Sequence, residues 1–438
     1  MKALDVFVVT QPSTWTRLSE NFKDNAKRLA ACLGYEKVNV WHYTGANGRT
    51  ILKSKFYDKE LFTKKVNEGR FKLMEKIVES NLEGPFVVTE DDILLDNDAP
   101  WVAPIPNDVN FINLITAYHT KNVHIPKTRP DSNYFGAPEK GVEIFQGAAA
   151  WFRDKESIKE FLAFAETKKN SDRYYYDQII SDYFHSNPKA TVCVPSIGGQ
   201  TLESYTANYS TANYSKAKIN ESKKGIKFKS ISKPAELNEY KSFGSFPNPK
   251  PIKELEQLGF KIEEFKDKLI VSKLKREVTE NEKEELLKGL DSFSVFSAKF
   301  LESPHNSMKA SGEVPFFQPF LFAIRKATLN AAGSFDPYFI GKWGGDIEWS
   351  IRIRKTFVND SFSSIGISDK VFINRVDIIE DVKKDIDLYK TLINDLDSLV
   401  PEWRNYKSTG KVSENWNAWT LKVDPIQKKS GCSTCKRR

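Results

Sequence analysis

Cysteine is scarce. The 438 residues hold four, at Cys32, Cys193, Cys432 and Cys435, which excludes a disulfide-dense secreted scaffold. Long apolar runs are missing too. No stretch approaches the roughly 18 apolar residues that a transmembrane helix needs. The first strand-like run, Leu4–Thr10, begins almost at the initiator Met, carries Asp5 within it and is followed by no small-residue cleavage site. Neither a span nor a signal peptide is therefore expected, and the expected setting is cytoplasmic. Asn-x-Ser sequons at Asn208, Asn213, Asn220 and Asn359 carry no weight there. Histidine is rare, with five scattered copies; they read as structural, with His185 the one to weigh as a third metal ligand. A strong charge of one sign is also absent. Lys and Arg number 66 against 58 Asp and Glu, a net +8, which excludes a histone-like polycation but leaves room for a local basic face.

What is present is a globular composition, 40% hydrophobic and 13% aromatic, with length for two or three domains at about 100–200 residues each. Residues 3–10 read as a buried strand and 14–33 as an amphipathic helix stopped by Gly34. Residues 38–42 read as a strand, 58–80 as a helix and 85–89 as a buried strand. This alternation is that of an α/β domain with a mostly parallel sheet. Residues 110–114 and 190–194 read as further strands, and 154–166 and 173–185 as helices. Composition shifts at 205–250, where Thr206-Ala-Asn-Tyr-Ser210 repeats at once and Lys216–Lys229 holds six lysines against one glutamate. We divide the chain into a first domain at 1–215, a basic linker at 216–250, a second domain at 251–425 and a basic tail at 426–438. The lysine run reads as a solvated loop, or else as a contact for phosphates. In the second half, 252–258 and 278–289 read as helices, 260–263 and 268–272 as a strand pair, and 314–324 as a Pro- and Phe-rich strand. Residues 380–423 read as helical and then Trp-rich, with Trp403, Trp416 and Trp419. Cys432-Ser-Thr-Cys435 looks like a zinc half-site. A structural zinc takes about four ligands and no second pair exists, so a basic tail is the reading, with a zinc shared between chains as the alternative.

Two segments could carry chemistry. Phe86-Val-Val-Thr-Glu90-Asp91-Asp92 places three acids directly after a buried strand, and in open α/β sheets ligands sit outside the carboxyl ends of strands. Such acids repel one another unless a cation or hydrogen-bond donors compensate. A divalent cation bridging a diphosphate is an economical answer, and Mg or Mn suits oxygen donors; an exposed acidic turn or helix cap is the other. The second segment is Ala332-Gly-Ser-Phe-Asp336-Pro-Tyr-Phe-Ile-Gly-Lys-Trp343-Gly-Gly-Asp346-Ile-Glu348-Trp-Ser-Ile-Arg352. Its glycines let backbone approach a ligand, and its acids open a helix where a carboxylate could take a proton from a hydroxyl.

The first half resembles the glycosyltransferase family that includes lipooligosaccharide and procollagen galactosyltransferases. The likeness rests on Phe7–Thr10, Thr16-Arg17-Leu18, Gly45-Ala-Asn-Gly-Arg49, Thr89-Glu90-Asp91-Asp92, Gln146-Gly-Ala-Ala-Ala-Trp-Phe152, Tyr176-Asp177-Gln178 and Val192-Cys-Val-Pro195 with Gly199-Gln200. The family's Gly-Glu-Ile-Gly-Cys-x-x-Ser-His piece is replaced by Asn67-Glu-Gly-Arg-Phe71. The resemblance implies a GT-A fold. It implies metal held by Glu90 and Asp92, and a donor cleft lined by Thr10, Gln11, Arg17, Asn47, Arg49, Asp91 and Gly147. Asp177 would be a base or an acceptor-orienting carboxylate.

The second segment resembles the Gly-Gly-Phe-Asp…Trp-Gly-Gly-Glu-Asp…Arg stretch of polypeptide GalNAc transferases and β-galactosyltransferases, another GT-A group. That resemblance implies Asp346 first and Glu348 second as general base, with Trp343, Gly344 and Gly345 as the sugar platform. Residues 230–312 hold no acidic pair after a buried strand. The second α/β domain is therefore expected to be a reduced transferase, a diverged complete one or an acceptor-holding module. The function these resemblances imply is sugar transfer from a nucleotide-sugar, a UDP-sugar first, with Mn2+ or Mg2+, by inversion. The acceptor is polar or anionic: a glycan, a protein or a modified DNA base, with DNA contacts through 216–229 and the tail. A non-catalytic nucleotide-sugar-binding protein and a nucleotidyltransferase are the alternatives. No oligomeric state is implied.

Overall fold

Strand β1 (Leu4–Thr10) is buried along nearly its whole length, because helices cover it from both sides. Leu4, Val6 and Val8 join one apolar cluster, with Leu29 and Ala30 of helix α1 (Phe22–Cys32). Phe7 joins the other, with Leu73, Met74 and Ile77 of helix α2 (Lys59–Glu79). Alternate side chains of a strand point to opposite faces, so a doubly covered strand reads as a continuous apolar run. Asp5, the polar interruption, is buried, and its carboxylate accepts from Asn39 Nδ2 at 2.9 Å and Trp41 Nε1 at 2.8 Å. The computed structural model describes residues 3–10, 22–46, 59–91, 93–95, 99–115, 135–136, 149–171, 174–193, 196–200, 229–302, 312–335, 345–356, 364–379 and 408–409.

The chain divides into two α/β units, Met1–Gly48 with Glu60–Asn248, and Arg49–Lys59 with Pro249–Arg438. Unit 1 continues through β2 (Lys37–Thr44), β3 (Phe86–Glu90), β4 (Ile93–Leu94), β5 (Phe111–Asn113), β6 (Phe135–Gly136) and β7 (Ala149–Phe152). After these come α3 (Lys155–Thr167), α4 (Tyr176–Ser186), β8 (Ala190–Cys193), β9 (Gly199–Gln200) and β10 (Glu236–Ser245). Its main sheet has the order β10-β2-β1-β3-β7-β5-β8-β6. Pairing is parallel at β10–β2, β2–β1, β1–β3 and β5–β8, and antiparallel at β3–β7, β7–β5 and β8–β6. α1 packs on one face, while α2, α3 and α4 supply the other. Asp154 caps α3, accepting from Ser157 N at 2.9 Å.

Unit 2 contains α5 (Pro251–Gln257), β11 (Lys261–Phe265), β12 (Lys268–Ser272), α6 (Glu280–Gly289), β13 (Val295–Phe300) and β14 (Gly312–Glu313). It continues with β15 (Leu321–Arg325), α7 (Lys326–Ala332), α8 (Gly345–Thr356) and β16 (Ile365–Ile373). Its sheet order is β11-β12-β15-β13-β16-β14, parallel only at β13–β16 among the described strands.

Two expectations change. Residues 236–245, read as linker, form the edge strand β10, in parallel register with β2 from Glu236↔Lys37 to Ser245↔Thr44. An edge strand that is mostly exposed carries no apolar alternation to betray it. The strand expected over 314–324 begins only at Leu321. Pro315 and Pro319 have no N–H for a ladder, and 314–320 instead tucks Phe316, Phe317 and Phe320 into the core as irregular backbone. The lysine run before Lys229, the Trp-rich segment and the Cys-containing tail lie outside the described residues, as does 14–21 of the first expected helix.

Gly69, inside α2, faces the turn after β2. A Cβ there would stand 2.9 Å from Ala46 N and 3.2 Å from Ala46 Cβ. In a helix interior Gly→Ala normally gains about 1 kcal/mol. Here backbone must give way, so Gly69→Ala is expected to reverse the sign and destabilise by about 1–3 kcal/mol, read as a lowered urea midpoint.

Candidate functional site

In unit 1 the chain leaves β1, crosses by α1 to β2 on one side, then returns by α2 to β3 on the other side of β1. The strand order therefore reverses between β1 and β3, and the crevice outside their carboxyl ends is where open α/β sheets place ligands. The register sets Val9 opposite Glu90 and Thr10 opposite Thr44. Thr10 is buried at this mouth, with Oγ1 2.5 Å from His42 Nε2. Burial pushes the His42 imidazole down from its ordinary value. Thr10 O accepts from Gly45 N at 2.7 Å, which ties the end of β1 to the turn after β2.

Glu90 ends β3, and its carboxylate forms an ion pair with Arg70 of α2. Compensation at this acidic run thus includes a guanidinium. Arg70 lies over the Tyr176 ring, 4.3 Å from its centroid. Asn67, one turn earlier on α2, is buried and reaches the same segment. It donates to Tyr174 O at 2.7 Å and accepts from Tyr176 N at 3.2 Å. α2 thereby fixes the start of α4. Tyr176 is buried and its hydroxyl has no hydrogen-bond partner among the described residues; burial raises it well above the usual phenol range. Asp177 is exposed in the first turn of α4. The fold brings Glu90, Arg70, Tyr176 and Asp177 to one end of the sheet. His185 is in the last turn of α4, roughly 12 Å along the helix from Asp177, and is not brought to this end. Asp91 follows Glu90 in a turn. Gln11, Arg17, Asn47, Arg49, Asp92 and Gly147 lie outside the described residues. Among the described residues no three His, Cys, Asp or Glu side chains cluster as a metal would require. The donor set at 90–92 is all carboxylate oxygen, which fits a hard divalent cation.

In unit 2, α8 is buried wherever its side chains are described. Gly345 opens it, against Phe335. Asp346 follows, 1% exposed, with Oδ1 accepting from Ile347 N at 2.9 Å. Burial holds its carboxyl well above the usual aspartate range. Glu348 is fully buried, and both its oxygens are taken by Arg352, at 3.0 Å from Nε and 2.6 Å from Nη2. The same guanidinium donates to Ala332 O at 2.6 Å and Ser334 O at 2.9 Å. Trp349 Nε1 donates to Gly333 O at 2.6 Å. Three successive carbonyls, those of Ala332, Gly333 and Ser334, are thus bolted to α8, and Glu348 is what keeps Arg352 in place. Arg354 clamps the other side, donating to Val314 O at 2.6 Å; burial lowers it to about 10. Trp343 and Gly344 lie outside the described residues.

Asn67 and Arg70 escaped the sequence reading of site residues. Their signal was present as two polar side chains one turn apart around a glycine in an amphipathic helix. That segment looked like a departure from a pattern and drew no role of its own.

No protein-family model matches the sequence, and no curated protein matches it. A solved structure of a glycosyltransferase involved in the glycosylation of the major capsid of PBCV-1 is similar over 44% of this chain and 81% of its own. Identity is 10% and the TM-score 0.26, too loose to transfer a fold or an activity. Among the described residues no helix is long and apolar enough to cross a membrane.

Two outcomes follow from α8. Removing one partner of a buried ion pair costs about 3–5 kcal/mol, so Glu348→Ala is expected to lower the free energy of unfolding by that amount, read as a lowered urea midpoint. Folded Asp346 holds its proton to higher pH than the unfolded chain does. It costs nothing below the ordinary aspartate range, and it destabilises increasingly as pH rises through that range toward its raised value. Asp346→Asn is expected to stabilise the protein at pH 7, and the gain is expected to vanish below about pH 4 in urea titrations across pH.

Proposed function

We propose that unit 1 transfers a sugar from a nucleoside diphosphate donor to an acceptor hydroxyl. The observation that carries this reading is the Glu90-Asp91-Asp92 run, which leaves β3 at the switch point of the sheet. Glu90 and Asp92 are the proposed holders of Mn2+ or Mg2+, with Glu90 exchanging Arg70 for the cation. Bound there, a divalent ion supplies neutralisation of the charge developing on the leaving diphosphate. Asp91 and Thr10 line the donor side. Asp177, exposed at the start of α4, orients the acceptor hydroxyl and takes its proton. In a direct displacement the acceptor oxygen bonds to the anomeric carbon as the bond to the diphosphate oxygen breaks, inverting that centre.

Unit 2 is proposed separately as an acceptor-binding module of the same class. Asp346 is its proposed base, and a carboxyl with raised proton affinity is, once ionised, a stronger base. Trp343, Gly344 and Gly345 are the proposed sugar platform. Glu348 is proposed to act on fold alone, through Arg352. The proposed acceptor is polar or anionic, a modified DNA base included.

One observation favours a second reading, a donor-binding protein without turnover: Glu90 is already neutralised by Arg70. A nucleotide-release assay across UDP-sugars, with Mn2+ and with chelator, separates the two. Transfer activity is expected to need the metal and to fall about a hundredfold in Asp92→Asn, the scale of losing a charge-stabilising group. Unchanged activity would overturn the metal assignment. Tight donor binding without release favours the second reading, and release of pyrophosphate identifies a nucleotidyltransferase instead. Retention on DNA is expected to drop steeply between 50 and 200 mM salt if lysines meet phosphates; a flat response removes DNA as acceptor.

A further inference from the structure

Three observations converge on Arg70. Its guanidinium, with 11% of the side chain exposed, sits between the Glu90 carboxylate and the Tyr176 ring. The helix that carries it is locked, by Asn67 to the start of α4 and by Gly69 against Ala46. The hydroxyl of that Tyr176 ring is buried without a hydrogen-bond partner among the described residues, a desolvation cost that no described group offsets. A guanidinium offers five N–H donors in a rigid planar fork, and one carboxylate engages two of them at best. An arginine lying over an aromatic ring and paired with a carboxylate at the end of a central strand is pre-shaped for an anion with several oxygens.

The geometry points to Arg70 as the residue that receives the diphosphate of the donor. Tyr176 is its platform, and Glu90 is the placeholder that the diphosphate displaces. When Glu90 turns to a cation, the guanidinium exchanges one anionic partner for another, so its positive charge stays compensated in a mostly buried position. Arg70 is thereby a binding residue for the phosphates and has no part in recognising the base or the sugar. This inference rests on the reading of unit 1 as a nucleoside diphosphate site, and deepens it.

Calorimetric titration of the full chain with UDP, UMP and uridine, in Mn2+ and in chelator, tests it. Wild type is expected to bind UDP with Mn2+. Arg70→Gln is expected to weaken UDP by about tenfold or more, the scale of a lost charge-assisted hydrogen bond, while uridine affinity moves less than twofold. Arg70→Lys is expected to recover part of the loss. Glu90→Gln is expected to tighten UDP in chelator, since the competing carboxylate is neutral, and Glu90→Gln with Arg70→Gln is expected to lose that gain. A gain of affinity cannot come from misfolding. If wild type binds UDP and Arg70→Gln binds it equally well, or weakens uridine as much as UDP, the role of Arg70 is overturned. If Glu90→Gln brings no gain in chelator, the placeholder role falls. If wild type binds no UDP, UMP or uridine at all, the reading of unit 1 as a uridine nucleotide site falls, and this inference with it.

Discussion

β1 has no solvent side, and unit 1 is arranged around that constraint. Helix α1 covers one face and α2 the other, so two successive crossovers must run on opposite sides of the sheet and place β2 and β3 on either flank of β1. Right-handed connection of parallel strands leaves no other economical path. The switch point between β1 and β3 is a consequence of this, and so is the meeting of Thr10 and Glu90 at one mouth. The acidic run acquires its meaning from that address, since the same three residues on an edge strand would be a solvated turn.

Charge is handled differently in the two units. At the end of β3, an ion pair of partly exposed groups, Arg70 and Glu90, sits beside an aromatic ring. Its two side chains are 11% and 20% exposed, so each keeps some contact with solvent. In α8, Glu348 and Arg352 are sealed, with the guanidinium also holding two carbonyls. Breaking a pair of that kind leaves an uncompensated buried charge. The first arrangement suits a site that must bind and release an anion, and the second suits a scaffold that presents a turn in one fixed shape. Asp346 stands two residues from Glu348 and shares its burial, yet its carboxylate's described hydrogen bonds come from backbone N–H groups alone, so the same helix carries one carboxylate committed to the fold and one whose proton affinity burial raises.

Much of unit 1 was legible in advance. The strands at 4–10 and 86–90 and the helices at 59–79 and 155–167 were readable because buried elements must repeat their apolar residues with the period of their backbone. β10 was not legible, because an exposed edge strand owes its existence to β2 and not to its own pattern. The segment 314–320 misled, since its phenylalanines are buried as a strand's would be while its prolines forbid the ladder. The acids at 90–92 and 346–348 were legible as candidates by residue type, but nothing in their spacing separates an acid that Arg352 ties down from one that a ligand could reach.

The sequence alone determined the periodicities, and with them an α/β chain with acids at the end of a buried strand and glycines ahead of an acidic helix. Tertiary structure decided which partner each charge meets. Arg70 reaches Glu90 from twenty residues away, and Arg352 reaches the carbonyls of 332 and 334 from another helix. Periodicity is a local property that a linear pattern records. The compensation of a buried charge depends on which distant group folding carries within hydrogen-bond reach, and no local pattern encodes that distance.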